Sequence, residues 1–171
     1  LINFRETSRF HWQDCHAKPL RYRYEFRGYG VDRKLWLDFD HAQGKATGTS
    51  RKGPVSYTVP AGANDELALS FTARCELLKG RHEASFDVAT TTGIKKFTFR
   101  VDGQEKVKTA LGEHEALRIQ RVRKEGGKRR SILWVAPALD YTMVKMEHVE
   151  RLGLRGAILL KTLEGGPTAA P

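Results

Sequence analysis

Little in this chain is built for chemistry. Among 171 residues there are two cysteines, Cys15 and Cys75, and two methionines. No CxxC pair or zinc-finger spacing occurs, so a thiol redox motif and a cysteine-rich metal site are both excluded as readings. The serine-hydrolase elbow GxSxG, the zinc-protease HExxH, the phosphate-binding loop and the dinucleotide fingerprint are all missing. No apolar run approaches the roughly 18 to 20 residues that a membrane-spanning helix needs. Acidic residues are the scarcer charge, 20 against 30 Lys and Arg, leaving a net charge of +10. No internal repeat is visible.

What is present suits one folded domain. An apolar fraction of 40% is ordinary for a globular protein, and the length allows a buried core. The reading is a β-rich domain over residues 1–164, with residues 1–20 as an N-terminal arm or irregular first strand and 165–171 as a flexible Gly-, Pro- and Ala-rich tail. The chain opens at Leu1, and a removed signal peptide or a choice of starting point fits equally well.

Alternation begins at Leu20. Tyr22, Tyr24 and Phe26 share one face of a strand, with Arg21, Arg23, Glu25 and Arg27 on the other. Leu35, Leu37 and Phe39 repeat the pattern opposite Trp36, Asp38 and Asp40, so the two aspartates read as a solvated face before they read as paired catalytic acids. Val55, Tyr57 and Val59 form a short strand between Pro54 and Pro60.

Residues 65–79 then read as a helix. Asn64 is the expected N-cap, Leu67, Phe71, Cys75 and Leu78 form one apolar stripe, and Leu69, Ala73 and Leu77 add a second, so the helix is expected to be covered on more than one side; Gly80 fits the position just past the end. Beyond it the period returns to two. Strands are expected at 84–88, 97–101, 106–109, 117–122, 131–135, 142–149 and 154–163. Asp102–Gly103 is the strongest hairpin signal, and a second hairpin tip is expected at 125–128. One helix before a train of strands predicts a mainly β fold. Its frame is expected to be a strongly curved antiparallel sheet, an open or closed barrel or β-spiral, with that helix packed on it.

Three sets of residues are candidates for function. In an oxidising compartment Cys15 and Cys75 would close a loop of about 60 residues, worth roughly 4 kcal/mol on the chain-entropy model. In a reducing one they are two partly buried thiols; the disulfide is preferred, because the two cysteines lie in segments that would otherwise share few contacts. Arg121, Arg123 and Lys124, with Lys128, Arg129 and Arg130 across the turn, form a basic hairpin able to meet phosphates. The tip lacks the stacking aromatics or groove-reading helix of a nucleic-acid reader, so a solvated hairpin end, or an anionic envelope surface as partner, is preferred to nucleic acid. Inward-facing Tyr22, Tyr24, Phe97, Phe99 and Trp134 are candidates to line an apolar ligand site, with core packing as the alternative for each. His11 and His16 lie near Asp14 and Cys15 in a spacing that matches no metal motif. No catalytic, cofactor or metal residue is assigned.

The segments VPAGANDELALSFTARCELLKG, FTFRVDGQEKVKTALGEHEALRIQRVR and RRSILWVAPALDYTMVKMEHVE together resemble the bacterial domain-of-unknown-function family 3108. The residues carrying the resemblance are Gly103 and Glu105, then Gly112, Ala116 and Arg118, then Trp134. The family usually has Asp or Arg followed by Pro-Val after the Trp strand, where this chain has Pro137 ahead of Asp140 and Tyr141. The resemblance implies an exported protein of the Gram-negative envelope, periplasmic after loss of its signal peptide, with a barrel-like or spiral sheet and no catalytic residues. It implies a non-enzymatic role, binding an apolar or lipid-like ligand or a partner peptide of another envelope protein in the sheet's concavity. A polyanion-binding module, for nucleic acid or lipopolysaccharide, is the alternative, and a hydrolase with a dispersed site is the third reading.

Overall fold

A computed structural model describes residues 2–122, 130–149 and 155–164. The chain is mainly β with one α-helix. In order it forms β1 (Asn3–Gln13), β2 (His16–Gly28), β3 (Val31–Asp40), β4 (Lys45–Ser50), β5 (Gly53–Thr58), β6 (Asn64–Asp65) and α1 (Leu69–Leu78). Then come β7 (Glu83–Thr90), β8 (Gly93–Thr109), β9 (Gly112–Val122), β10 (Arg130–Ala136), a 3₁₀ turn (Pro137–Leu139), β11 (Thr142–Val149) and β12 (Arg155–Leu159). The strands make two sheets, of order β1-β2-β3-β4-β5 and β12-β11-β10-β9-β8-β7-β6, and neither list closes on itself. Strand β6 pairs with β7 in parallel.

The chain divides into two compact units, one of residues 1–79 and 85–97, the other of 80–84 and 98–171. The first holds the antiparallel meander β1–β5. Residues 1–20, expected as an arm or irregular strand, supply β1 and the start of β2, joined by a two-residue turn. Both turn residues, Asp14 and Cys15, have φ near +50° to +60°, as a type I′ hairpin requires. The expected alternation of β2 and β3 holds: Tyr22 and Leu37 are buried, with Tyr24, Phe39, Val55, Tyr57, Leu67 and Ile94 packed around them. The opposite face carries the ion pairs Arg21–Asp38, Arg23–Asp38 and Arg27–Asp32.

Strand β4 has no counterpart in the sequence-based reading, because KATGTS carries no large apolar residue to mark a period. Gly48 makes it possible. A Cβ there would overlap the carbonyl oxygen of Trp36 on β3, so the strands can approach only at a glycine.

The helix is shorter than expected and turned differently. Asn64 and Asp65 pair with Val88 and Ala89 of β7 instead of opening the helix. Asp65, not Asn64, supplies the N-terminal acceptor: its Oδ1 takes the N–H groups of Leu67 and Ala68 at 2.9 and 2.7 Å. Phe71 and Leu78, placed on the apolar stripe, are 45% and 54% exposed, and the buried residues are Leu69, Thr72 and Cys75. The crosslink at Cys75 and the hydrogen bonds of Thr72 to Asn64 and Ala17 set that face. Gly80 stands just past the end with φ +76°, as expected.

In the second unit, antiparallel pairing runs β8-β9-β10-β11-β12. Asp102–Gly103 is not a hairpin: β8 runs straight through it, and the register against β9 shifts between Val101 and Gly103. The side chain explains this. Asp102 Oδ2 accepts from Arg118 Nη1 at 3.1 Å and from Gln120 Nε2, both on β9, which holds the dipeptide in the ladder as a bulge. The chain reverses instead just before Gly112, where φ is +110°. Val107, Ala116, Ile132, Trp134, Ala136 and Val144 form this unit's core. After it, Asp140 and Tyr141 take left-handed conformations at the point where the chain departs from the family pattern.

Candidate functional site

Cys15 and Cys75 are bonded to each other. The bond ties the β1–β2 turn to the last turns of α1, and a buried polar network runs beside it. The Thr72 hydroxyl donates to Asn64 Oδ1 at 2.6 Å and accepts the backbone N–H of Ala17 at 3.0 Å. Ser8 donates to Asp65 Oδ2 at 2.5 Å. Burial pushes the Asp65 carboxyl above its usual range, against the pull of its hydrogen bonds to Ser8, Ala68 and Leu67. Each buried polar atom named here has a partner, which makes the network a structural clamp.

The aromatic candidates are divided between the two units. Tyr22 and Tyr24 sit in the core of the first unit, where Tyr22 donates its hydroxyl to Glu6 Oε1 at 2.7 Å. Burial raises the Tyr22 phenol far above its ordinary value, with the nearby Glu66, Glu6 and Asp65 adding to the effect. Trp134 belongs to the core of the second unit. Phe97 is buried and Phe99 half-buried, and neither belongs to those two clusters. For Tyr22, Tyr24 and Trp134 the core-packing alternative therefore describes what the side chains do.

Of the basic hairpin, Arg121 is half-buried at the end of β9 and Arg130 is exposed at the start of β10. Arg123, Lys124, Lys128 and Arg129 lie outside the described residues, as do the 125–128 tip and the tail 165–171. Cys15 is committed to its disulfide, so it cannot join His11, His16 and Asp14 around a metal. No group of three or more His, Cys, Asp or Glu side chains is placed to hold a metal ion among the described residues.

Sequence reasoning missed a pocket at one end of the first sheet. A cavity of about 320 Å³ is lined by His16 and Lys18 of β2, Phe39 and Asp40 of β3, His41, Gly44, Lys45 of β4 and the loop 59–63. The Nε2–H of His41 donates to the carbonyl oxygen of Pro19 at 2.5 Å, and its ring stacks on Phe39 with centroids 6.3 Å apart. Burial lowers the pKa of His16 from its ordinary 6.5, helped by the positive potential of His41 and Lys18. The pocket residues are drawn from separated strands, and only the register brings them to one place. Asp40 across the β3–β4 turn from Lys45 was the one local signal.

A mainly β fold of two sheets with a crosslinked helix defines a class of β-rich domain, not an activity. The chain belongs to the family described as "Protein of unknown function (DUF3108)", whose profile matches residues 1–158. The match takes in the N-terminal strands, which the sequence resemblance reached only as a loose set of strands. No curated protein matches the chain, and no solved structure does. No helix among the described residues is long and apolar enough to cross a membrane.

Proposed function

We propose that this protein is a non-enzymatic, periplasmic component of the Gram-negative envelope that binds a partner polypeptide segment. The reading is carried by the Cys15–Cys75 disulfide, since such bonds persist in oxidising compartments and are reduced in the cytosol. A partner peptide is favoured over an apolar or lipid-like ligand because Tyr22 and Trp134 fill cores rather than line a cavity. Strand β12 supports the same choice. All five of its residues are exposed, Ile158 and Leu159 by more than half, and it ends its sheet, paired with β11. An extended segment adding to that edge gains main-chain hydrogen bonds and apolar contacts together. Curvature of the sheets toward a barrel or spiral belongs to the same proposal, as the frame that the family resemblance implies.

A polyanion-binding role is the second reading, favoured by the net charge of +10. It requires affinity for lipopolysaccharide or nucleic acid that falls steeply with salt. Native mass spectrometry of the protein taken from an envelope extract separates these readings. A polypeptide adduct lost when Ile158 and Leu159 are both changed to Lys supports the proposal. A lipid adduct, or a free protein that instead binds anionic polymer in a salt-dependent way, contradicts it.

A further inference from the structure

The pocket at the end of the first sheet gathers basic side chains around a concave space. On β2, Arg21, Arg23 and Arg27 each meet an aspartate within 3.3 Å. Lys18 and Lys45, which line the pocket, form no ion pair among the described residues. Two imidazoles, His16 and His41, stand with them, against a single carboxylate, Asp40. That carboxylate already accepts the backbone N–H of Gln43 at 3.0 Å. The loop 59–63 contributes no charge, and with Phe39 it forms an apolar wall. Unneutralised cations around a concave, partly apolar space raise the local concentration of anions and hold them more strongly than a flat surface does. A cavity of about 320 Å³ is at the small end of the range for ligand sites.

We propose that this pocket binds a small organic oxyanion, a carboxylate or phosphate on a compact apolar group. Its head is met by Lys18, Lys45, His16 and His41, and its body lies on Phe39 and the 59–63 loop. The site is independent of the β12 edge and of the compartment. Because Nε2 of His41 is occupied by Pro19, its Nδ1 becomes a donor only when the ring is protonated. Of the charged groups lining the pocket, Lys18 from β2 and Lys45 from β4 oppose protonation of the imidazoles and Asp40 from β3 favours it, so a bound anion adds to the favourable charge.

The test is a titration of the whole chain with phenyl phosphate, phenylacetate and neutral benzyl alcohol, followed by NMR of the His16 and His41 imidazoles. Saturable shifts with either anion and none with benzyl alcohol are expected, and the tighter anion identifies the head group. Affinity for phenylacetate should rise as pH falls below about 6.5 and the His16 imidazole, whose pKa is lowered, gains its proton. Lys18→Gln with Lys45→Gln, both exposed and therefore tolerated by the fold, should weaken binding at least about tenfold, roughly 1.4 kcal/mol, with the thermal midpoint unchanged. Equal binding of benzyl alcohol, indifference to the double substitution, or no saturable shift with either anion overturns the proposal.

Discussion

The indole N–H of Trp134 donates to Glu105 Oε2 across 2.9 Å, joining β10 to β8 over the intervening β9. Arg118 of β9, directly opposite Trp134 in the ladder, lies 3.9 Å from the other Glu105 oxygen, and Lys145 of β11 sits 4.4 Å from the centre of the indole ring. Gly103, Glu105, Ala116, Arg118 and Trp134, five of the six scattered residues that carried the family resemblance, are thus neighbours on three adjacent strands. The carboxylate satisfies a buried indole donor, and the cations hold the ring and the carboxylate in place.

Removing either partner should therefore cost stability. Glu105→Ala is expected to lose about 1 kcal/mol, at the low end for a charge-assisted hydrogen bond because Glu105 is half exposed. Trp134→Ala is expected to lose about 3 to 5 kcal/mol through the cavity it leaves. Urea unfolding of the two variants and their double mutant measures both, and the double mutant should be less destabilised than the sum.

Gly48 is the next test. Alanine there meets the Trp36 carbonyl oxygen, backbone that cannot swing aside, and the loss should be about 3 kcal/mol. Gly156→Ala on β12, where nothing lies within 4 Å, is the control and should leave the thermal midpoint nearly unchanged.

The disulfide closes a chain separation of 60 residues. Reduction should cost about 4 kcal/mol, seen as a lowered urea midpoint for the reduced protein or for Cys15→Ser with Cys75→Ser. Hydrogen exchange should rise first in α1, whose buried face is Leu69, Thr72 and Cys75.

His16 provides a pH test. Its pKa in the fold is lowered, by burial first and then by His41 and Lys18. A base with a depressed folded pKa contributes stability that is complete above its unfolded value, near 6.5, and is lost as pH falls through the folded value. Stability should therefore decline on acidification from about pH 6.5, with His16→Gln removing that part of the slope. The His16 imidazole should titrate below 6.5 by NMR, and His41→Gln should move the midpoint upward.

The strands with large alternating side chains, β2, β3 and β8 to β11, were legible because period-two burial leaves a period-two sequence. What failed had physical causes. β4 carries no bulky apolar residue, and its existence depends on Gly48 approaching Trp36, a contact invisible in one dimension. Asp102–Gly103 has the composition of a turn, but hydrogen bonds from Arg118 and Gln120 keep it in the strand. On the helix Leu69 and Cys75 are buried as read, whereas Phe71 and Leu78 are exposed, because the buried face is set by the Cys75 crosslink and by Thr72 bonding Asn64 and Ala17. Pairing of Cys15 with Cys75 was legible as a preference, while the pocket was not, since His16 and His41 meet only through the register of β2 with β3.

The central claim is that the protein works in an oxidising envelope compartment as a binding protein. The most direct measurement is thiol alkylation, without reductant, of the natural full-length protein in intact and fractionated Gram-negative cells, read by mass. The account predicts a protein recovered in the periplasmic fraction with no alkyl group added at Cys15 or Cys75 until reductant is present. Two alkyl groups added at once to a protein recovered with the cytosol would contradict it.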